Sequence, residues 1–141
     1  MKVYQTSEIR NLALIGGAKS GKTTLAEAML FQGGVITRRG SVDDKNTVSD
    51  YRDIELERKN SVTATVLYSE FQGIKINMID CPGFDDFIGE VIGSLRVADT
   101  ALMVVNSQSG VDVGTEIDWR WTKKMNKPVI FAINQLDHDK A

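Results

Sequence analysis

The stretch GGAKSGKT, Gly16 to Thr23, decides how the rest of the chain reads. It fits the pattern Gly, four residues, Gly, Lys, then Ser or Thr, which average residue frequencies match by accident in only about one chain in two hundred of this length. Its flanks agree with it. Ile9 to Ile15, IRNLALI, is an apolar run that reads as a buried strand. Lys22 to Phe31 carries Leu25, Ala28 and Met29 at spacings of three and four and stops at Gly33 and Gly34, which predicts a helix. Strand, glycine loop and helix in that order make a cradle for phosphate. Backbone N–H groups of Gly16, Gly17, Ala18, Lys19, Ser20 and Gly21 curl around the anion, and the helix N-terminus at Thr23 and Thr24 adds its dipole. Lys22 offers a point charge to the β and γ phosphates, and Thr23 a hydroxyl to Mg²⁺.

Outward from this loop, Gly33 to Ser61 has few apolar anchors and reads as one long functional loop, within which Arg52 to Lys59 is a solvated helical turn. A hairpin follows. Val62, Ala64, Val66 and Tyr68 alternate on one face, Gln72 and Gly73 supply the turn, and Ile74, Ile76 and Met78 alternate on the return strand. Phe87, Ile88, Val91, Ile92 and Leu95 keep helical spacing. TALMVVN, Thr100 to Asn106, is a strand fit for burial on both faces. Val113, Ile117, Trp121 and Met125 recur every four residues as a helix, and Pro128 introduces a last strand, VIFAI. This order predicts an α/β fold of the P-loop class, a mostly parallel sheet with one antiparallel strand and helices on both faces. Ligands of such sheets sit beyond the carboxyl ends of the strands, where the loops after Ile15, Ile79, Val105 and Ile133 gather.

A phosphate loop alone does not separate ATP from GTP, or a kinase from a switch. Two further loops bear on that choice. In DCPG, Asp80, Cys81, Pro82 and Gly83, the carboxylate can hold the water shell of Mg²⁺ and the Gly83 N–H can meet a γ-phosphate. In NQLD, Asn134, Gln135, Leu136 and Asp137, the aspartate can accept two hydrogen bonds from the N1–H and exocyclic amine of guanine, a pair adenine lacks. DxPG or Asn-x-x-Asp alone is a turn; three motifs in this order at strand ends point to GTP and GDP.

Composition sets the outer bounds. A chain of 141 residues, 42% apolar and 26% charged, is one domain able to bury a core. One cysteine, Cys81, allows no internal disulfide and agrees with a reducing compartment. The polar start lacks the apolar core of a signal peptide, and no stretch nears eighteen apolar residues. A net charge of -2 shows no basic footprint. The expectations are a cytoplasmic monomer with no membrane and no free DNA among its partners.

With the motifs placed, the whole chain resembles the start of the G domain of translation elongation factor G. Asn46 to Val66 looks like that family's first switch, Ile79 to Val111 like its second switch and following strand, and VGTEIDWRW continues the likeness. The resemblance implies a translational GTPase working on the ribosome in translocation, with Lys22, Asp80 and Gly83 in catalysis and Thr23, Ser61 and Asp80 around Mg²⁺. It also implies that residues 1–141 are the N-terminal part of a longer GTP-binding domain, lacking a further strand and helix.

The chain departs from the family at several points. Where the second switch carries a histidine that positions the attacking water, Phe84 stands, without donor or acceptor. Hydrolysis is expected to be slow, unless Asp85, Asp86 or the ribosome supplies a replacement group. Where the first switch reads Arg, Gly, Ile, Thr, this chain has Arg58, Lys59, Asn60 and Ser61. Ser61 keeps the hydroxyl for Mg²⁺, while Lys59 and Asn60 alter how the loop closes and remove an apolar gate. Lys19 replaces an aspartate that helps hold a monovalent cation, and reads either as an ammonium in that ion's place or as a solvated surface lysine. Gln135 replaces the lysine whose stem covers the base. The second functional reading is a GTP-dependent ribosome-binding module without hydrolysis; a ribosome-protection or recycling paralogue and a metabolic ATPase or kinase stand behind it. His138 reads as a solvated loop residue, Cys81 as a small buried thiol, and Trp119 and Trp121 as packing residues.

Overall fold

The computed structural model describes residues 2–137. Five strands form one sheet in the order β2-β3-β1-β4-β5. Its centre is β1, Ile9–Ile15, parallel to β3, Ile74–Asp80, on one side and to β4, Thr100–Asn106, on the other. The edges are β2, Thr65–Phe71, antiparallel to β3, and β5, Val129–Asn134, parallel to β4. The expected P-loop α/β architecture, with one antiparallel strand, is therefore present.

Alternate residues of the buried strands feed two cores. Leu14 and Met78 pack with Ala26 and Leu30 of α1, Lys22–Gln32, on one face. Ala13, Ile15, Ala101, Met103 and Val105 pack on the other face with Val91 and Leu95 of α3, Ile88–Val97. Trp121 and Met125, in and just after α4, Val113–Lys124, close over that second core. Asp112 caps α4 by accepting the Thr115 N–H at 2.7 Å, with Glu116 in the first turn and Lys123 and Lys124 in the last, each suited to the dipole end it occupies. Gln72 and Gly73 both adopt positive φ, 50° and 83°, the conformation a two-residue hairpin demands.

The start of the hairpin differs from the sequence reading. The hairpin strand begins at Thr65, not Val62, and its register sets Leu67 against Met78 and Ser69 against Ile76 over α1. Val66 and Tyr68, read as sharing one face, are 72% and 49% exposed, on the side of β2 opposite Leu67 and Ser69, which turn toward α1. In α4 the buried face is Thr115, Asp118 and Thr122, and Val113 is exposed. The long loop also holds more order than expected. Its residues 53–58 form α2, Asp53–Arg58, in which Glu55 is buried rather than solvated and takes the Val62 and Thr63 N–H groups at 3.0 and 3.2 Å. Among the described residues no helix is long and apolar enough to cross a membrane.

Candidate functional site

The first turn of α1 emerges directly from the glycine loop. Gly21, at φ 94°, is its N-cap, and a Cβ there would collide with the Asn134 amide. Asn134 lies that close because its Nδ2 donates to Ser20 O at 2.9 Å, while Gln135 Nε2 donates to Lys19 O at 3.0 Å. The NQLD loop is thereby stitched to the phosphate loop through two side chains, and Ser107 ties it to the end of β4 through Gln135 O at 2.8 Å. Leu136 and Asp137 remain exposed at the rim.

Lys22 is buried, and its ammonium folds back onto Gly16 O at 2.7 Å and Gly17 O at 2.8 Å. Burial pulls its pKa down, against the attraction of Asp80 and Asp118. Beside it Thr23 Oγ1 donates to Asp80 Oδ2 at 2.8 Å and stands 3.3 Å from Ser61 Oγ. Ser61, from the far end of the long loop, donates to Asp50 Oδ1 at 2.7 Å. The three sequence-derived metal residues thus meet, together with Asp50.

The donors fit a divalent cation. Asp80 Oδ1 and Asp50 Oδ2 are buried without a hydrogen-bond partner, a costly state that a hard cation or its water shell relieves. Among the described residues no three His, Cys, Asp or Glu side chains cluster as a metal cage. The set of two hydroxyls and two carboxylates instead suits Mg²⁺ completed by phosphate oxygens and water.

Burial lifts the Asp80 carboxyl to about 6. A carboxyl raised above its unfolded value of 3.8 favours the protonated native state, so its contribution to stability falls as pH rises toward 6. Without nucleotide, Asp80→Asn is expected to lose less melting temperature than the wild type between pH 4 and pH 7. An equal loss in both proteins would show that Asp80 does not titrate there.

Lys22, Thr23, Asp50 and Ser61 line a cavity of about 440 Å³ that also includes Ala18, Lys19, Thr24, Gly83 and Phe84, a volume suited to a small ligand. Phe84, 42% exposed, also borders a second cavity of about 330 Å³ with Arg58, Val62 and Asp86. Of the two acids considered as replacements for histidine, Asp86 lines that second cavity, whereas Asp85 Oδ1 lies beside Gly114 at the start of α4. Lys59 adopts φ 53°, taking the left-handed conformation that glycine reaches without strain, and its ammonium pairs with Asp43 at 3.2 Å across the cavity mouth. Asn60 turns back to Arg58 O at 2.7 Å. Cys81 is fully buried, and burial pushes its thiol up to about 12, as an inert packing residue requires. Trp119 packs at a tilt against Phe131, ring centroids 5.6 Å apart, and Trp121 packs against the core. His138 lies outside the described residues.

Two buried acids beside this site, Glu27 and Asp118, were missed by the sequence reading. Glu27, buried in α1, takes the Gly40 N–H at 2.8 Å and the Val48 N–H at 2.5 Å, fastening the long loop to the helix that begins at the phosphate site. Asp118, buried in α4, takes the Gly16 N–H at 2.7 Å. An acid on a helix reads as solvent-facing, and no local signal marks these as otherwise.

The comparisons with known proteins agree with this geometry. The family described as "Elongation factor Tu GTP binding domain" matches residues 7–141. An elongation factor G-like protein of Mycobacterium tuberculosis is 40% identical over 133 residues, 94% of this chain and 19% of its own length. A mitochondrial ribosome-releasing factor 2 of Candida dubliniensis is 38% identical over 137 residues, covering 97% of this chain and 17% of the relative. The crystal structure of a Thermus thermophilus protein superposes with a TM-score of 0.90 at 39% identity, over 93% of this chain and 20% of that one. The chain spans about a fifth of the length of these relatives. By its fold, its three loops and these matches, the chain belongs to the family of elongation factor Tu GTP-binding domains, in its elongation factor G-like branch.

Proposed function

We propose that residues 1–141 are the N-terminal part of the guanine-nucleotide-binding domain of a translational GTPase that acts on the ribosome in translocation and hydrolyses GTP slowly. The supporting observation is that residues 18, 19 and 21–24, Gly83 and Gln135 line one cavity with Phe84 at its wall, while Thr23 bonds Asp80 and Asn134 bonds Ser20 behind it. Gly16 to Thr24 would hold the phosphates through backbone N–H groups and Lys22, while Asn134 to Asp137 would hold guanine. Thr23, Ser61 and Asp80 would hold Mg²⁺, which when bound supplies charge neutralisation between the phosphates. Gly83 N–H would meet the γ-phosphate. A cytoplasmic monomer working through the ribosome, without membrane or free DNA, completes the reading.

Phe84 and Lys59 favour a second reading, in which GTP serves as a conformational ligand for ribosome binding and is not turned over. Steady-state GTP turnover by the intact protein, with and without ribosomes, separates the two. Turnover that ribosomes stimulate to many cycles per minute removes the second reading; none above background removes the first. The ribosomal complex that stimulates turnover most distinguishes translocation from ribosome protection or recycling. A protein that binds ADP as tightly as GDP removes all of them in favour of a metabolic ATPase or kinase.

A further inference from the structure

Gly16 opens the phosphate loop, and both ends of its backbone are gripped by charged side chains. Its carbonyl accepts from the Lys22 ammonium at 2.7 Å, and its N–H donates to Asp118 Oδ2 at 2.7 Å from α4, 102 residues away in sequence. We propose that Asp118 is a positioning residue of the phosphate loop, holding the loop's entry in the shape that binds nucleotide phosphates. The inference rests on the reading of residues 16–24 as a phosphate site and deepens it.

Three observations carry it. Asp118 is 5% exposed, and a carboxylate so far from water needs a strong donor; a backbone N–H on an ionised acceptor is a short, charge-assisted bond. Next, α4 is built as a seat for this loop. Gly17 sits against the Asp112 carboxylate so closely that a Cβ has no room, and a Cβ on Gly114 would lie 3.3 Å from Gly17 Cα and 3.5 Å from Gly83 O. The start of α4 therefore touches both the phosphate loop and the DCPG loop. Finally, the two grips on Gly16 differ in permanence. Lys22 bonds Gly16 and Gly17 carbonyls with an ammonium that the phosphates also attract, whereas Asp118 has no such competitor. When Lys22 turns to a phosphate, Asp118 keeps hold of the loop. Burial lifts the Asp118 carboxyl to about 6, opposed by the Gly16 N–H and by Lys22 from α1 and supported by Asp85 and Asp112, so the group is ionised at neutral pH.

The test compares GDP with guanosine, which offers the same base without phosphates, in competition against a fluorescent GDP analogue on the intact protein. Asp118→Val is expected to weaken GDP at least about tenfold, because the Gly16 N–H is left buried without an acceptor, and to leave guanosine within about twofold. Asp118→Asn, whose side-chain carbonyl still accepts the N–H, is expected to restore GDP to within about threefold of wild type. Should Asp118→Val fail to fold, Asp118→Ser, polar but too short to reach Gly16, carries the same comparison. GDP unaffected by loss of the acceptor, equal weakening of GDP and guanosine, or an Asp118→Asn protein as weak as Asp118→Val would each overturn the inference. A wild-type protein that binds no GDP refutes the phosphate-site reading instead.

Discussion

Phe84→His is expected to raise ribosome-stimulated GTP turnover by about 10² to 10⁴-fold while leaving GDP affinity within a few-fold, because the change restores a positioned acid-base group at the reacting end of the site. The position tolerates it. Phe84 has an extended backbone, φ -92° and ψ 140°, that any residue adopts, and at 42% exposure it contributes little to the core. Its side chain already borders the first cavity, so an imidazole on the same Cβ falls near residues 18, 19 and 21–23 and Gly83, the groups proposed to hold the phosphates. Phenylalanine at that wall has no donor or acceptor with which to order a water. The group best placed to compensate is Asp86, which shares the second cavity with Phe84, and it supplies the control. A wild-type protein with fast turnover that Asp86→Asn abolishes would mean that the carboxylate has taken over the histidine's task. Unchanged slow turnover in Phe84→His would instead place the defect in loop closure, where Lys59 is paired with Asp43.

The parts of this site that could be read from sequence are those whose chemistry is local. GGAKSGKT works through consecutive backbone groups, so its residues meet the ligand wherever strand and helix direct them, and β1 and α1 direct them as expected. The central strands were equally legible because burial on both faces demands an unbroken apolar run, and TALMVVN is one. What stayed hidden depends on partners distant in sequence. The alternation of Val66 and Tyr68 marks one face of a strand without saying which, and only the register of β2 over α1 buries Leu67 and Ser69 and leaves that face exposed. Glu27 and Asp118 resemble solvated helix positions, and only the folded chain sets them against the N–H groups of residues 40 and 48 and of residue 16. The long loop is the extreme case. Its order comes from Glu27, Asp50 and Glu55, buried acids that bond loop N–H and hydroxyl groups, and no hydrophobic periodicity announces such a scaffold.

Asp137→Asn is expected to abolish the preference for GDP over ADP, lowering GDP affinity by about 10² to 10⁴-fold in equilibrium binding. The carboxylate's two oxygens match the N1–H and exocyclic amine of guanine, whereas an amide offers one acceptor and sets its NH₂ against a donor. A site built on paired hydrogen bonds loses far more from a mismatch than an apolar pocket loses from a misfit, which places the effect in that range. Asp137 is exposed on a turn, so its replacement leaves the core intact and the melting temperature without nucleotide should not move. Asn134 behaves differently although it belongs to the same motif. Its Nδ2 holds Ser20 O, so Asn134→Ala should weaken GDP and ADP alike by loosening the phosphate loop. The proposal thus expects Asp137 to select the base and Asn134, beside any contact with the base, to brace the loop through Ser20 O. If Asp137→Asn kept its preference for GDP, the backbone of this loop would have to read the base without the carboxylate, and the assignment of NQLD as the source of guanine specificity would fail.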